Sequence, residues 1–131
     1  MRKLLTLLVV VVGLLIPVAA IAATLDTSKF GGLIAAGAAC EDGDDGAWYH
    51  FINNQTEGAA GGTINVTFSD ASENQSVGAF AVNKNVLHFY VFGESTLTGA
   101  DTPGIPGNLV LSHISCGKKT DDPTTLPEIE A

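Results

Sequence analysis

The sequence has 131 residues, 46% of them hydrophobic and 15% charged, with 6 basic residues against 14 acidic ones and a formal charge of −8. A balance this acidic leaves no basic groove for phosphates, so it excludes nucleic acid and anionic membrane surfaces as partners. Two cysteines and a single methionine, Met1, also exclude cysteine-rich metal clusters and a thioether-ligated copper centre.

Residues 1–23 have the layout of a secretion signal. Arg2 and Lys3 form a positive start, Leu4 to Ile16 form an uncharged run that is apolar apart from Thr6, and Pro17 ends the run before Ala20-Ile21-Ala22. The last three residues give the small-x-small pattern that a signal peptidase cuts. Leu4 to Ala23 also has the length of a spanning helix, about 20 residues. Pro17 and the alanine-rich end favour cleavage, with the mature chain starting at Ala23 or Thr24 and keeping no membrane contact. Without residues 1–23 the chain has 108 residues, and four basic residues remain against 14 acidic ones, a formal charge of −10. That length suits one domain with a modest core.

Residues 24–39 are small and apolar with scattered glycine, and periodicity does not decide between strand, helix and irregular lead-in. The acidic turn Glu41 to Gly46 leads into Trp48 to Asn53, an aromatic-rich strand. After the glycine-rich 58–62, Thr63 to Ser69 alternates cleanly, with Ile64, Val66 and Phe68 on one face. Asp70 to Ser76 reads as a polar loop, and Gly78 to Val82 as a strand with Phe80 and Val82 on one face. Val86 to Phe92 is apolar on both sides, as a central strand would be. Thr96 to Thr98 reads as a short edge, and Gly99 to Gly107, with Pro103 and Pro106, as a loop barred from a central strand. Leu109 to Cys116 closes the domain, and the polar, proline-bearing tail 117–131 is expected to be disordered.

This spacing of strands and turns predicts an all-β fold: a single Ig-like β-sandwich of six to eight short antiparallel strands over residues 40–116. Cys40 and Cys116, the only cysteines, are expected to pair in an oxidising compartment. The loop so closed, about 77 residues, corresponds to about 4 kcal/mol of lost chain entropy.

Sites of chemistry are sparse. His50, His88 and His113 lie in three different predicted strands, and convergence on one face would make a zinc or copper site. Leu87, Phe89 and Val91 mark the core face of their strand and leave His88 beside Tyr90 on the other; strand order cannot be read, and separate packing roles are favoured. Asp42, Asp44 and Asp45 could hold calcium, with Asp70 or Asp101 completing the set, but the twelfth residue from Asp42 is Asn53 where an EF-hand needs Glu. A solvated acidic turn is favoured. Trp48, Tyr49 and Tyr90 could form an aromatic platform for a sugar or peptide. Asn54, Asn65 and Asn74 begin glycosylation triplets, which matter only in a host that glycosylates. Ser112 and His113 are adjacent and point to opposite faces of a regular strand, and no G-x-S-x-G elbow is present. No catalytic residue and no cofactor are assigned.

The order Cys40, Trp48-Tyr49-His50-Phe51, His88-Phe89-Tyr90-Val91, Leu109-Val110-Leu111-Ser112-His113 and Cys116 resembles a group of secreted bacterial domains. The resemblance spans residues 40–116. It implies an Ig-like or prealbumin-like sandwich displayed outside the cell, often within larger surface proteins, and it brings no active site. The expected role is a secreted, non-enzymatic module for surface interaction, adhesion or assembly, with an extracellular protein or glycan as partner. The alternative is an extracellular metal-binding protein using the histidines or the acidic turn.

Overall fold

The computed structural model describes residues 22–29, 40, 46–54, 60–83 and 85–129. Among the described residues there are eight strands: β1 Ala22–Thr24, β2 Gly46–Asn54, β3 Thr63–Phe68, β4 Gln75–Gly78, β5 Ala81–Asn83, β6 Val86–Gly93, β7 Leu97–Pro103 and β8 Asn108–Gly117. They form two four-stranded antiparallel sheets, a first in the order β1-β7-β3-β4 and a second in the order β5-β6-β2-β8. The fold is a single β-sandwich, as the strand spacing predicts, and Cys40 and Cys116 are joined by a disulfide with Cα atoms 5.5 Å apart.

Alternation places the core. Ala47, Tyr49 and Phe51 of β2 and Leu87, Phe89 and Val91 of β6 point inward from the second sheet, against Ile64, Val66 and Phe68 of β3 in the first. Phe51, Phe89, Ile64 and Leu87 are all 0% exposed. Burying side chains of this size stabilises the fold by about 1.5–3 kcal/mol each. Contact between the sheets is close enough that the Phe68 ring occupies the space where Gly93 would carry a Cβ. One polar pair crosses the core: Asn53 Nδ2 of β2 donates to Thr102 Oγ1 of β7 at 2.7 Å. Both residues are fully buried, and Asn53 Oδ1 has no partner among the described residues.

Three expectations change. Residues 97–103 form β7, which lies between β1 and β3 rather than in a loop. Pro103 sits at the very end of that strand, opposite Ala22, so its missing N–H leaves the ladder inside the strand intact. The inward residues Ala100 and Thr102 are too small or too polar to show an apolar pattern. Residues 75–83 split into β4 and β5, which belong to different sheets. Phe80 and Val82, which share one face of the expected strand, are 61% and 43% exposed. Finally, residues 118–129 of the expected disordered tail fold back along β8, where the Ile129 amide donates to the Ile114 carbonyl at 2.7 Å.

The expected signal up to Ile21 and lead-in residues 30–39 lie outside the described residues; Thr24 ends β1 and Leu25 is buried. Among the described residues no helix is long and apolar enough to cross a membrane.

Candidate metal centre

The second sheet presents its outer face through the residues that alternate with the core. On β2 these are Trp48, His50 and Ile52, and on β6 they include His88 and Tyr90. In register, His50 lies opposite Tyr90, and Ile52 opposite His88. This much follows from period two.

His113 does not. Leu109 and Leu111 of β8 are buried, so an unbroken strand would turn residue 113 inward as well. The ladder between β2 and β8 instead pairs Phe51 with Leu111 and His50 with His113, leaving Ser112 as an extra residue in a β-bulge. One inserted residue reverses every face that follows it. Ile114 becomes fully buried, and His113 moves out beside His50. A bulge leaves no composition signal here, and this is why the sequence favoured separate roles for the three histidines. They share a face.

The rings form one group centred on His50. Its ring stacks on Tyr90 at 4.4 Å between centroids, and lies 5.3 Å from His88 and 5.7 Å from His113, with interplanar angles of 7°, 21° and 24°. His50 Nε2 and His88 Nδ1 are 3.1 Å apart, so one of the two nitrogens donates and the other accepts. The returning tail adds a carboxylate: Glu128 Oε2 lies 3.0 Å from His113 Nδ1. One ligand atom each from His50, His113 and Glu128 fall within 4.8 Å of one another.

Electrostatics keep the centre of this group neutral. Burial, followed by the neighbouring His88 and His113, pushes the His50 pKa down from 6.5 to about 4. A neutral imidazole is the form that binds a metal. Burial, Glu128 and Asp122 together raise Tyr90, which therefore stays a protonated phenol.

The other sequence candidates separate. Tyr49 does not join Trp48 and Tyr90 in a platform: it is buried in the core against Phe68, at 5.8 Å between centroids, because neighbouring residues on a strand face opposite ways. Trp48 packs on Phe92 and donates from Nε1 to the Lys118 carbonyl at 3.0 Å. Asp42, Asp44 and Asp45 lie outside the described residues. Asp70 accepts from the Ser72 amide and hydroxyl at the start of a 3-10 turn. A cavity of about 300 Å³ is lined by Ser72, Glu73, Gln75, Phe92, Glu94 and Lys119, none of which belongs to the histidine group.

Comparison with protein-family models, curated proteins and solved structures gives no match. The site therefore has to be interpreted from its own chemistry. Two imidazoles and a carboxylate are borderline ligands of the kind that zinc and the later first-row divalent ions prefer over calcium or magnesium. Ligand distances of about 2.0–2.2 Å to zinc would need the three groups to draw together by side-chain rotation, which is open to Glu128 at 52% side-chain exposure. His88 then stands behind His50 as its hydrogen-bond partner, the usual place of a group that orients a ligating imidazole.

Proposed function

We propose that this chain is an exported, non-enzymatic β-sandwich that binds a divalent transition-metal ion on the outer face of its second sheet, with His50, His113 and Glu128 as ligands. The observation that carries this proposal is the gathering of those three ligand groups within 4.8 Å of one another. The signal-like residues 1–23 and the disulfide support export, since such bonds persist in oxidising compartments. The two-sheet layout supports a likeness to Ig-like or prealbumin-like sandwiches in architecture alone: the immunoglobulin arrangement places strands ABED on one sheet and CFG on the other, whereas here β7 lies between β1 and β3.

The test is calorimetric titration of chelator-treated protein with zinc, with cobalt(II) as a spectroscopic substitute. One ion per chain is expected. His50→Gln, His113→Gln and Glu128→Gln should each weaken binding about tenfold or more, and His88→Gln about tenfold through the orientation of His50. No binding, or binding that survives the loss of both His50 and His113, would remove the proposal.

A further inference from the structure

β8 is the outer strand of the second sheet and, with the residues from Asn108 to Gly117, the longest of the eight. Edge strands of that length are normally protected against pairing with another chain by lysine, proline or a bulge. In β8, NLVLSHISCG, there is no lysine, proline or acidic residue, and the Ser112 bulge is the one such device within the strand. Among the described residues, the returning C-terminal segment covers the edge. Its course is set by two turns, with the Asp121 amide donating to the Lys118 carbonyl and the Thr125 amide to the Asp122 carbonyl. Leu126 then packs over Gly117, where an added Cβ would meet it at 2.8 Å. Ile129 makes the single bridge to Ile114 and packs partly buried on the core.

Taken alone these contacts hold the segment weakly. A single bridge, two apolar contacts and the Trp48–Lys118 hydrogen bond at its start are joined by the contact of His113 with Glu128, whose side chains are 43% and 52% exposed, and contacts between groups this exposed contribute little. Glu128 is nevertheless the residue next to the bridge and the third member of the ligand group. An ion held by His50, His113 and Glu128 would tie this segment to β2 and β8 together.

We propose that residues 118–129 are a metal-clamped strap that closes the β8 edge to strand pairing by a second copy of this chain. The proposal rests on the metal-binding function above. Because ion and strap share Glu128, each must favour the other by the same factor. Loading the site raises the fraction of docked strap, and stripping the ion frees an edge of apolar, uncharged backbone that pairs antiparallel with its equivalent in a second copy.

The experiment uses the intact chain, with zinc or with chelator. Hydrogen exchange at the Ile129 amide and the oligomeric state by light scattering are read beside zinc affinity by calorimetry. Zinc is expected to slow exchange at Ile129 at least tenfold, and chelator to produce a concentration-dependent dimer. Glu128→Gln should lose the zinc-dependent slowing while His50 and His113 keep residual affinity. Ile129→Pro, which removes the bridging N–H, should weaken zinc binding and dimerise even with zinc present. If zinc binds as proposed but Ile129 exchanges equally with and without it, or Ile129→Pro stays monomeric with unchanged affinity, the strap is refuted and the metal site stands. If wild-type protein binds no zinc, both fail together.

Discussion

Deleting Ser112 is the sharpest check on how the outer face is built. If Ser112 is the extra residue of a bulge, its removal leaves Leu111 opposite Phe51 and His113 opposite His50, with no face reversed. The cost should then be local, within about 1 kcal/mol. A deletion from the unbulged part of β8 has no spare residue to absorb it: without Val110, Leu111, now 8% exposed, would move to the outer position at a loss of about 1.5–3 kcal/mol. Ser112 would enter the core in its place without a partner at about 1–3 kcal/mol, giving a total near 4 kcal/mol. Urea unfolding of the disulfide-bonded protein distinguishes these values. Deletion of Val110, which pairs with Ile52 in the unbulged part of β8, supplies the comparison and should cost the larger amount. The deletion of Ser112 should also keep zinc affinity, since the two histidines stay opposite each other. A stability loss equal to that of the Val110 deletion would show that the bulge does not set the face of His113.

The metal-free protein should lose stability as pH falls from 6.5 to 4. Over that window the unfolded chain protonates His50 whereas the folded chain, with its pKa at about 4, does not. After discounting for partial exposure the loss is about 2 kcal/mol, and it should be absent in His50→Phe; parallel pH profiles of the two proteins would contradict it. Replacing Asn53 and Thr102 together by Leu and Val should be neutral or stabilising by about 1 kcal/mol, because it removes the pair and the unpartnered Oδ1 at once. Asn53→Leu alone, which leaves the Thr102 hydroxyl buried without its partner, should cost about 1–3 kcal/mol. Chemical denaturation of the two variants beside the unaltered protein measures both.

Legibility in the sequence followed the strength of the alternation. β3 and β6 were clear because Ile64, Val66 and Phe68, and Leu87, Phe89 and Val91, are bulky residues spaced by two. β2 was found as a strand, and its parity separates Tyr49 from Trp48 once the core side is known. β7 was hidden because its inward residues past Leu97 are Ala100 and Thr102, and because two nearby prolines argued for a loop. The histidine group was half visible: period two gives His88 and Tyr90 a common face, but His113 needs a bulge that only pairing with β2 reveals. Glu128 was out of reach altogether. It joins the site through a backbone bridge 15 residues along from Ile114, and a polar, proline-bearing tail carries no pattern that announces such a return.

Under the export proposal, the position of β1 orders the steps of maturation. The Ala23 side chain is buried and its amide donates to the Ile105 carbonyl at 3.1 Å, so the bond after Ala22 lies within a paired strand. A peptidase needs that bond extended and free in its own cleft. With a cut after Ala22, leader removal therefore comes before β1 docks on β7, and the newborn amino group of Ala23 takes its place in the sheet as one of the last contacts to form.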